Sequence, residues 1–240
     1  MNKSKFIFKI NNTSIKLFIG IKVFKPTATT TFLLRDAAKL VNKSKDILDL
    51  GCGSGVIGVC VNKLNKNKNK NKIFASDVSV DAVDCARKNF EKYRCNYELK
   101  KGSLFLPWKN KKFDLIINDV SGISEKLAKN SSWFKNVPCK TGADGTALTL
   151  KIIDSSKKYL NKGGGIIFPI ISLSNIKKIE NLLKKKFKKI KIMSNNYWFL
   201  PNELNKNTNK LIEMKKKNLI NFEIKYGKII CNTQIVYAAI

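Results

Sequence analysis

The chain has 240 residues, 43% of them hydrophobic and 10% aromatic, which is enough to bury one core and favours a single α/β domain. Its net charge of +30 would favour a nucleic-acid partner. However, the excess positive charge is mostly lysine that occurs together with asparagine in the sequence, and arginine, the better phosphate ligand, occurs only three times. Histidine is absent, which excludes imidazole acid–base catalysis and histidine-ligated metals.

The first 25 residues predict a β-rich N-terminal arm, and residues 26–240 predict the main domain. Residues 6–10 and 14–24 are β-rich runs on either side of a polar turn, so we expect a hairpin. In residues 29–41 the apolar side chains recur at helical spacing, which predicts a helix that leads into the core.

Short strands and helices then alternate along the chain. The predicted strands are 46–50, 73–76, 97–100, 113–117, 166–169 and 190–193. The predicted helices are 56–64, 80–90, 144–160 and 176–187, and the glycines at 163–165 separate a helix from the next strand. This alternation predicts a doubly wound α/β fold with a mainly parallel, seven-stranded Rossmann-like sheet and helices on both faces.

Two segments depart from the alternation. The lysine- and asparagine-rich tract at 62–72 is too polar to pack against a core and predicts a surface loop of low complexity. Residues 195–240 predict a basic helix near 203–217 and β-rich runs, the last of which closes the sheet as an antiparallel strand.

The most informative motif is a glycine-rich loop directly after a predicted strand. Asp49 lies at the strand end, and Gly51, Gly53 and Gly55 follow at alternate positions, where the absence of Cβ lets the backbone pass close to a ligand. The loop also satisfies the GxGxxG pattern of dinucleotide-binding proteins. A carboxylate suits the cationic amino group of S-adenosylmethionine and not a pyrophosphate, so we favour S-adenosylmethionine as the cofactor. Asp77, at the end of the next strand, suits ribose hydroxyls with either cofactor.

These motifs resemble those of the class I methyltransferases, and within them the small-methyltransferase group that includes the HemK-type release-factor glutamine methyltransferases. The likeness extends over residues 23–187. Residues 46–55 resemble the family's first motif, residues 75–82 its ribose-binding motif, and residues 102–107 the stretch beside the adenine. The resemblance implies cofactor binding by Asp49, Gly51, Cys52, Gly53, Ser54, Gly55, Asp77, Ser103, Leu104 and Asn118.

The chain departs from this family at the end of the fourth strand, where the resemblance would place the catalytic signature Asn-Pro-Pro-Tyr. Asn118 is retained, but it is followed by Asp119, Val120 and Ser121, so both prolines and the stacking ring are missing. We take Asn118 and Asp119 as the candidate catalytic residues, which would orient a nitrogen nucleophile. Alternatively, Asn118 mainly touches the cofactor, or both residues only turn the chain after the strand.

The preferred function is transfer of a methyl group to nitrogen on a macromolecule, with protein, including a release-factor-like glutamine, favoured over RNA. Such a displacement needs positioning and desolvation and requires no metal. A second hypothesis is a small-molecule methyltransferase in which Tyr197, Trp198 and Phe199 form part of an acceptor pocket, although these rings would equally suit core packing. A third is a binding module that keeps the cofactor without catalysis.

Hydropathy and cysteine usage predict a cytoplasmic protein with no membrane partner. No apolar run approaches the roughly 18 residues of a membrane helix, and the first residues do not resemble a signal peptide. The six cysteines form no CxxC pair, so we expect reduced thiols and no metal site.

Overall fold

The computed structural model describes residues 4–64, 71–120, 122–206 and 208–240. It begins with an antiparallel hairpin of strands β1 (Ser4–Ile10) and β2 (Thr13–Ile19), joined by a turn in which Asn11 adopts a φ of 48°. The hairpin confirms the predicted arm, but β2 ends at Ile19, well before residue 24. After it, the backbone N–H of Val23 bonds to the carbonyl of Gly20 in a turn. The division at residue 25 stays a prediction.

The central sheet has the predicted mainly parallel arrangement. Five strands run parallel: β3 (Asp46–Leu50), β4 (Lys72–Asp77), β5 (Tyr97–Lys101), β6 (Phe113–Asn118) and β7 (Leu160–Ile171). Three more follow: β8 (Lys189–Phe199), β9 (Glu223–Lys225) and β10 (Lys228–Ala239). The strand order is β5-β4-β3-β6-β7-β10-β8, and the short β9 pairs with β10. Strand β10 pairs antiparallel with both β7 and β8, as expected for the closing strand.

Helices cover both faces of this sheet. They are α1 (Ala28–Val41), α2 (Val56–Leu64), α3 (Val80–Lys92), α4 (Glu125–Ala128), α5 (Ala147–Ser156), α6 (Ile176–Lys186), α7 (Asn202–Asn205) and α8 (Thr208–Lys216). One buried apolar cluster joins the hairpin to α1, α2 and α3, and a second lies under α5 and α6. A third cluster surrounds α4, α7 and α8. The two sheet faces are therefore separately packed, as in a doubly wound fold.

Several predicted boundaries were wrong. The helix expected over 144–160 is only α5, followed by a 3-10 turn at Lys157–Tyr159. The glycines at 163–165 lie inside β7 and do not precede it. A larger residue does not fit at position 165, because a Cβ on Gly165 would lie 2.4 Å from the ring of Tyr237 on the neighbouring strand. The basic helix near 203–217 is two short helices, α7 and α8.

Within the part of the chain that the structure describes, no helix is long and apolar enough to cross a bilayer. All six cysteines are free thiols, and the described residues hold no cluster of metal-ligating side chains. Most of the lysine- and asparagine-rich tract, residues 65–70, lies outside the described residues.

Candidate functional site

The chain reverses direction across the sheet between β3 and β6, and a cavity lies at the carboxyl ends of these strands. After β3 the chain adds β4 and β5 on one side, and it then returns to add β6 and β7 on the other. Such switch points are where open α/β sheets bind ligands. The cavity has a volume of about 240 Å³ and is lined by the glycine-rich loop, the end of β4 and the segments 102–104 and 137–140. We call it the loop cavity.

The three glycines of the loop all have positive φ, but the space beside them differs. A Cβ on Gly51 would lie 2.4 Å from Cγ2 of Val120, and one on Gly55 would lie 2.9 Å from Cε1 of Phe90. A Cβ on Gly53 would meet nothing within 4 Å. Gly51 and Gly53 line the loop cavity, whereas Gly55 packs against helix α3 and is not among the lining residues described. Gly53 is therefore the glycine whose open space a ligand can use.

Asp49 lies beneath the loop and not in the wall of the cavity. Its carboxylate is completely buried, one oxygen accepts the backbone N–H of Gly58 at 3.3 Å, and the other has no hydrogen-bond partner among the described residues. Burial, together with the nearby carboxylates of Asp119 and Asp77, raises the pKa of Asp49 to about 8. This oxygen is therefore a buried hydrogen-bonding atom that the described residues leave unsatisfied.

Asp77 faces the loop cavity from the end of β4. One carboxylate oxygen accepts the backbone N–H of Gly53 and the other accepts that of Ser79, both at 2.9 Å. A carboxylate offers about four acceptor positions, so these two bonds orient the group and leave capacity for hydroxyl donors. Asp77 thus links the second strand to the glycine-rich loop at the place predicted for ribose.

Four more of the predicted cofactor residues also line this cavity, whereas Asn118 is not in its described lining. Cys52 and Ser54 are buried lining residues, and the Cys52 backbone N–H donates to the Ser76 carbonyl at 3.0 Å. Burial raises the pKa of the Cys52 thiol far above its usual value, so it stays protonated. Ser103 and Leu104 also line the cavity, and Leu104 adopts a positive φ of 46°.

The two candidate catalytic residues, although adjacent in sequence, have different surroundings. Asn118 is 2% exposed, and its side-chain Nδ2 donates to the carbonyl of Leu50 at 3.2 Å, so its amide bridges β6 to β3. It does not appear in the described lining of either cavity. Asp119, the next residue, lines both cavities, and Thr30 donates a 2.6 Å hydrogen bond to its carboxylate. Ser121 lies outside the described residues.

Asp119 is enclosed by protein on most sides. Desolvation raises the pKa of its carboxyl to about 6, and the hydrogen bond from Thr30 opposes that rise. A carboxyl that titrates near neutrality is suited to accept a proton from a reacting group.

A second cavity of about 160 Å³ adjoins the loop cavity. Its aromatic lining residues are Phe24, Phe32, Trp133, Phe134 and Trp198. We call it the aromatic cavity. Four residues line both cavities: Phe24, Asp119, Val120 and Phe134. The two cavities therefore meet at the chain segment that follows β6, with Asp119 as the shared ionisable side chain of the described lining.

Only one of these aromatic lining residues could be predicted from the sequence. Trp198 was expected in an acceptor pocket and lines the aromatic cavity, whereas its neighbours Tyr197 and Phe199 are each 62% exposed on the outside. Trp133 and Phe134 belong to a 3-10 turn, Ser132–Phe134, in a stretch without periodicity. Their position depends on long-range packing that a local pattern does not encode.

Comparison with known proteins places these features in a family context. Residues 25–120 match the family described as the Methyltransferase small domain. The chain is 28% identical over 170 residues to a putative protein N5-glutamine methyltransferase of Methanocaldococcus jannaschii, covering 71% of this chain and 83% of the relative. It is 25% identical to the release factor glutamine methyltransferase of Geobacter sulfurreducens, covering 60% of this chain and 52% of the relative. The chain thus spans only about half the length of this bacterial relative.

The fold is similar to that of a solved structure, the 16S rRNA N2 G1207 methyltransferase of T. Thermophilus in complex with AdoMet and guanosine. The TM-score is 0.61 at 13% sequence identity, and the match covers 98% of this chain and 50% of the other. At this identity the likeness concerns the fold of the two proteins.

Proposed function

We propose that this chain transfers a methyl group from S-adenosylmethionine to a nitrogen atom of a protein, because residues 25–120 match the Methyltransferase small domain. The match to a methyltransferase domain and to a relative named as a methyltransferase favours an enzyme over a cofactor-binding module. The observation that carries the proposal is the position of Asp119, which lines both the loop cavity and the aromatic cavity.

The residues of the loop cavity fit the cofactor. The open space at Gly53 accepts a ligand close to the backbone, Asp77 offers acceptor positions for ribose hydroxyls, and the unpartnered oxygen of Asp49 lies beneath the same loop. We propose that Gly51, Cys52, Ser54, Ser103 and Leu104 complete this site by contact. When bound, the cofactor supplies a methyl group activated by its sulfonium charge.

The protein's own contribution is positioning, exclusion of water and acceptance of a proton. We propose that the acceptor enters through the aromatic cavity, whose apolar walls remove water from the nucleophile. Asp119 then holds an N–H of the acceptor and takes up the proton that the nitrogen loses. Asn118 acts as a positioning residue, because its bond to the Leu50 carbonyl fixes the strand end from which Asp119 projects.

Protein is favoured over RNA as the acceptor for two reasons. Two of the relatives are named as protein or release factor glutamine methyltransferases. In addition, the described lining of the aromatic cavity contains no lysine or arginine, which a phosphate backbone close to the reacting base would favour. The enclosed aromatic cavity also supports a second candidate function, methylation of an apolar small molecule.

Label transfer tests the proposal. The purified protein is incubated with radiolabelled S-adenosylmethionine and an extract of cells that lack the gene, and the label is followed into protease-sensitive, nuclease-sensitive and low-mass fractions. Asp119→Asn serves as the matched control. We expect label in the protease-sensitive fraction with the native protein only. Label in the nuclease-sensitive fraction would overturn the choice of protein, and label confined to the low-mass fraction would favour the second candidate.

A further inference from the structure

The walls of the aromatic cavity indicate which kind of nitrogen the enzyme methylates. We infer that the acceptor is an amine on an apolar stem, a lysine side chain or a protein N-terminus, and not an amide or a nucleobase. This inference rests on the proposed function, because it names the acceptor class for the same site. It follows from the chemistry of the described residues that line the cavity.

The aromatic rings around the cavity are held in defined positions. The Trp198 indole Nε1 donates to Oγ1 of Thr233 at 3.0 Å, and the ring centroids of Trp198 and Trp133 are 5.9 Å apart in an edge-to-face arrangement. On the side shared with the loop cavity, the rings of Phe24 and Phe134 lie 5.0 Å apart. Aromatic faces attract cations through the quadrupole of the ring, and several rings around one space attract them most strongly.

Asp119 is the one ionisable side chain in the described lining of this cavity. A carboxylate only accepts hydrogen bonds, so it is matched by a group that only donates them. Ammonium groups have donors and no acceptors. The combination of one carboxylate with surrounding aromatic rings therefore favours a cationic amine over a neutral polar group.

An amide or a nucleobase fits the same lining poorly. Each carries carbonyl or ring-nitrogen acceptors as well as N–H donors, and an acceptor buried without a donor is unfavourable. The described lining holds no lysine, arginine, asparagine or glutamine side chain, and the hydroxyls of Thr27 and Thr29 are its only alcohol donors. Asn118 could have supplied an amide, but its Nδ2 is bonded to Leu50 and it lies outside the lining.

The proposed reaction balances with the groups available. The bound ammonium first gives one proton to a carboxylate oxygen of Asp119, which later releases it to solvent. The lone pair of the resulting neutral amine forms the new N–C bond while the C–S bond to the transferred methyl breaks, and that electron pair stays on sulfur. The product is a methylated ammonium, which matches the cavity in the same way as the substrate.

Binding of a simple cation tests the cavity directly. Tetramethylammonium is titrated into the protein saturated with S-adenosylhomocysteine, with tert-butanol as a neutral probe of the same shape, and tryptophan fluorescence is recorded. We expect saturable binding of tetramethylammonium at least tenfold tighter than that of tert-butanol. Trp198→Leu and Asp119→Asn should each weaken it at least fivefold, whereas Phe199→Leu, at the exposed neighbouring position, should not change it. Equal binding of the two probes, or no effect of either cavity variant, would overturn the inference.

The chemistry of the labelled product separates this inference from the proposed function. Labelled protein from the transfer experiment is hydrolysed in strong acid, which releases the methyl of a methylated amide as volatile methylamine but leaves a methylated amine intact. We expect the label in acid-stable methylated amino acids. Label released as methylamine, or found in nucleotides, would overturn the amine assignment although methyl transfer itself stands. Absence of label from every fraction would overturn the proposed function, and this inference with it.

Discussion

The hydroxyl of Thr30 donates a 2.6 Å hydrogen bond to the carboxylate of Asp119, which ties the first turn of helix α1 to the residue shared by both cavities. The same hydroxyl oxygen accepts the backbone N–H of Thr27 at 3.2 Å. Because the N–H can only donate and an ionised carboxylate can only accept, the hydroxyl proton points toward Asp119. Thr30 is 1% exposed, so this arrangement is shielded from water.

Thr30→Val should therefore lower kcat about tenfold or more, because a hydrogen bond to a charged group contributes about 1.5–3 kcal/mol. Valine keeps the shape of threonine but cannot hold the carboxylate. Thr30→Ser keeps the hydroxyl and should retain most of the activity. Steady-state kinetics with saturating cofactor measure both variants. If the valine and serine variants are equally active, the hydroxyl does not position Asp119.

The pH dependence of kcat should show an acid limb near pH 6. The carboxyl of Asp119 has its pKa raised to about 6, and only its ionised form accepts a proton, so activity should rise as the pH increases through this value. In the native protein the hydrogen bond from Thr30 lowers the pKa of Asp119. Thr30→Val removes this bond, so the pKa of Asp119 should rise and the acid limb should move to higher pH. A pH–rate profile at saturating substrate measures the limb, and an unchanged limb in the variant would contradict its assignment to Asp119.

Gly53→Val should abolish cofactor binding without unfolding the protein. Gly163→Val is a matched control, because both glycines have positive φ, 53° and 79°, and at neither would a Cβ meet an atom within 4 Å. The two variants carry the same kind of backbone strain, but only Gly53 lines the loop cavity. Calorimetry with S-adenosylhomocysteine and thermal melts distinguish the outcomes. Equal affinity in both variants would show that the space at Gly53 does not hold the ligand.

Much of the fold can be predicted from the sequence, because the patterns that indicate its strands and helices are local. Strand β3 and helix α2 begin and end where predicted, since a buried apolar run meets a glycine loop and a helical repeat follows. The glycines at 163–165 misled the prediction because glycine usually interrupts a strand, whereas here the ring of Tyr237 requires it. That requirement comes from β10, more than 70 residues away along the chain.

The loop cavity was predictable for the same reason, and the aromatic cavity was not. A strand, a glycine loop and an acidic residue mark the candidate cofactor residues within a short stretch of sequence. Asn118 and Asp119 are adjacent, and no local signal shows that one bonds to Leu50 while the other faces the two cavities. The rings of Phe24, Trp133 and Trp198 come from three distant segments that only the folded chain brings together.

Asp49→Asn should make the ligand-free protein less sensitive to alkaline pH. In the folded protein the pKa of Asp49 is raised to about 8, above the ordinary value of 3.8 that applies to the unfolded chain. A raised carboxyl pKa means that folding favours the protonated form, so this stabilisation is complete below about pH 4 and is lost as the pH rises through 8. Asparagine has nearly the same shape as the protonated carboxyl, and its Oδ1 can still accept the N–H of Gly58.

We therefore expect the variant and the native protein to have similar free energies of unfolding at about pH 4, and the variant to be more stable by about 2 kcal/mol or more at pH 8.5, since each pKa unit corresponds to about 1.4 kcal/mol. Urea denaturation at the two pH values measures the difference, and the variant also controls for the titration of Asp119. If Asp49 also meets the cationic amino group of the cofactor, the same variant should bind S-adenosylhomocysteine more weakly at pH 8.5, although it is the more stable protein. A variant that gains no stability at pH 8.5 would show that the buried carboxyl of Asp49 ionises without cost.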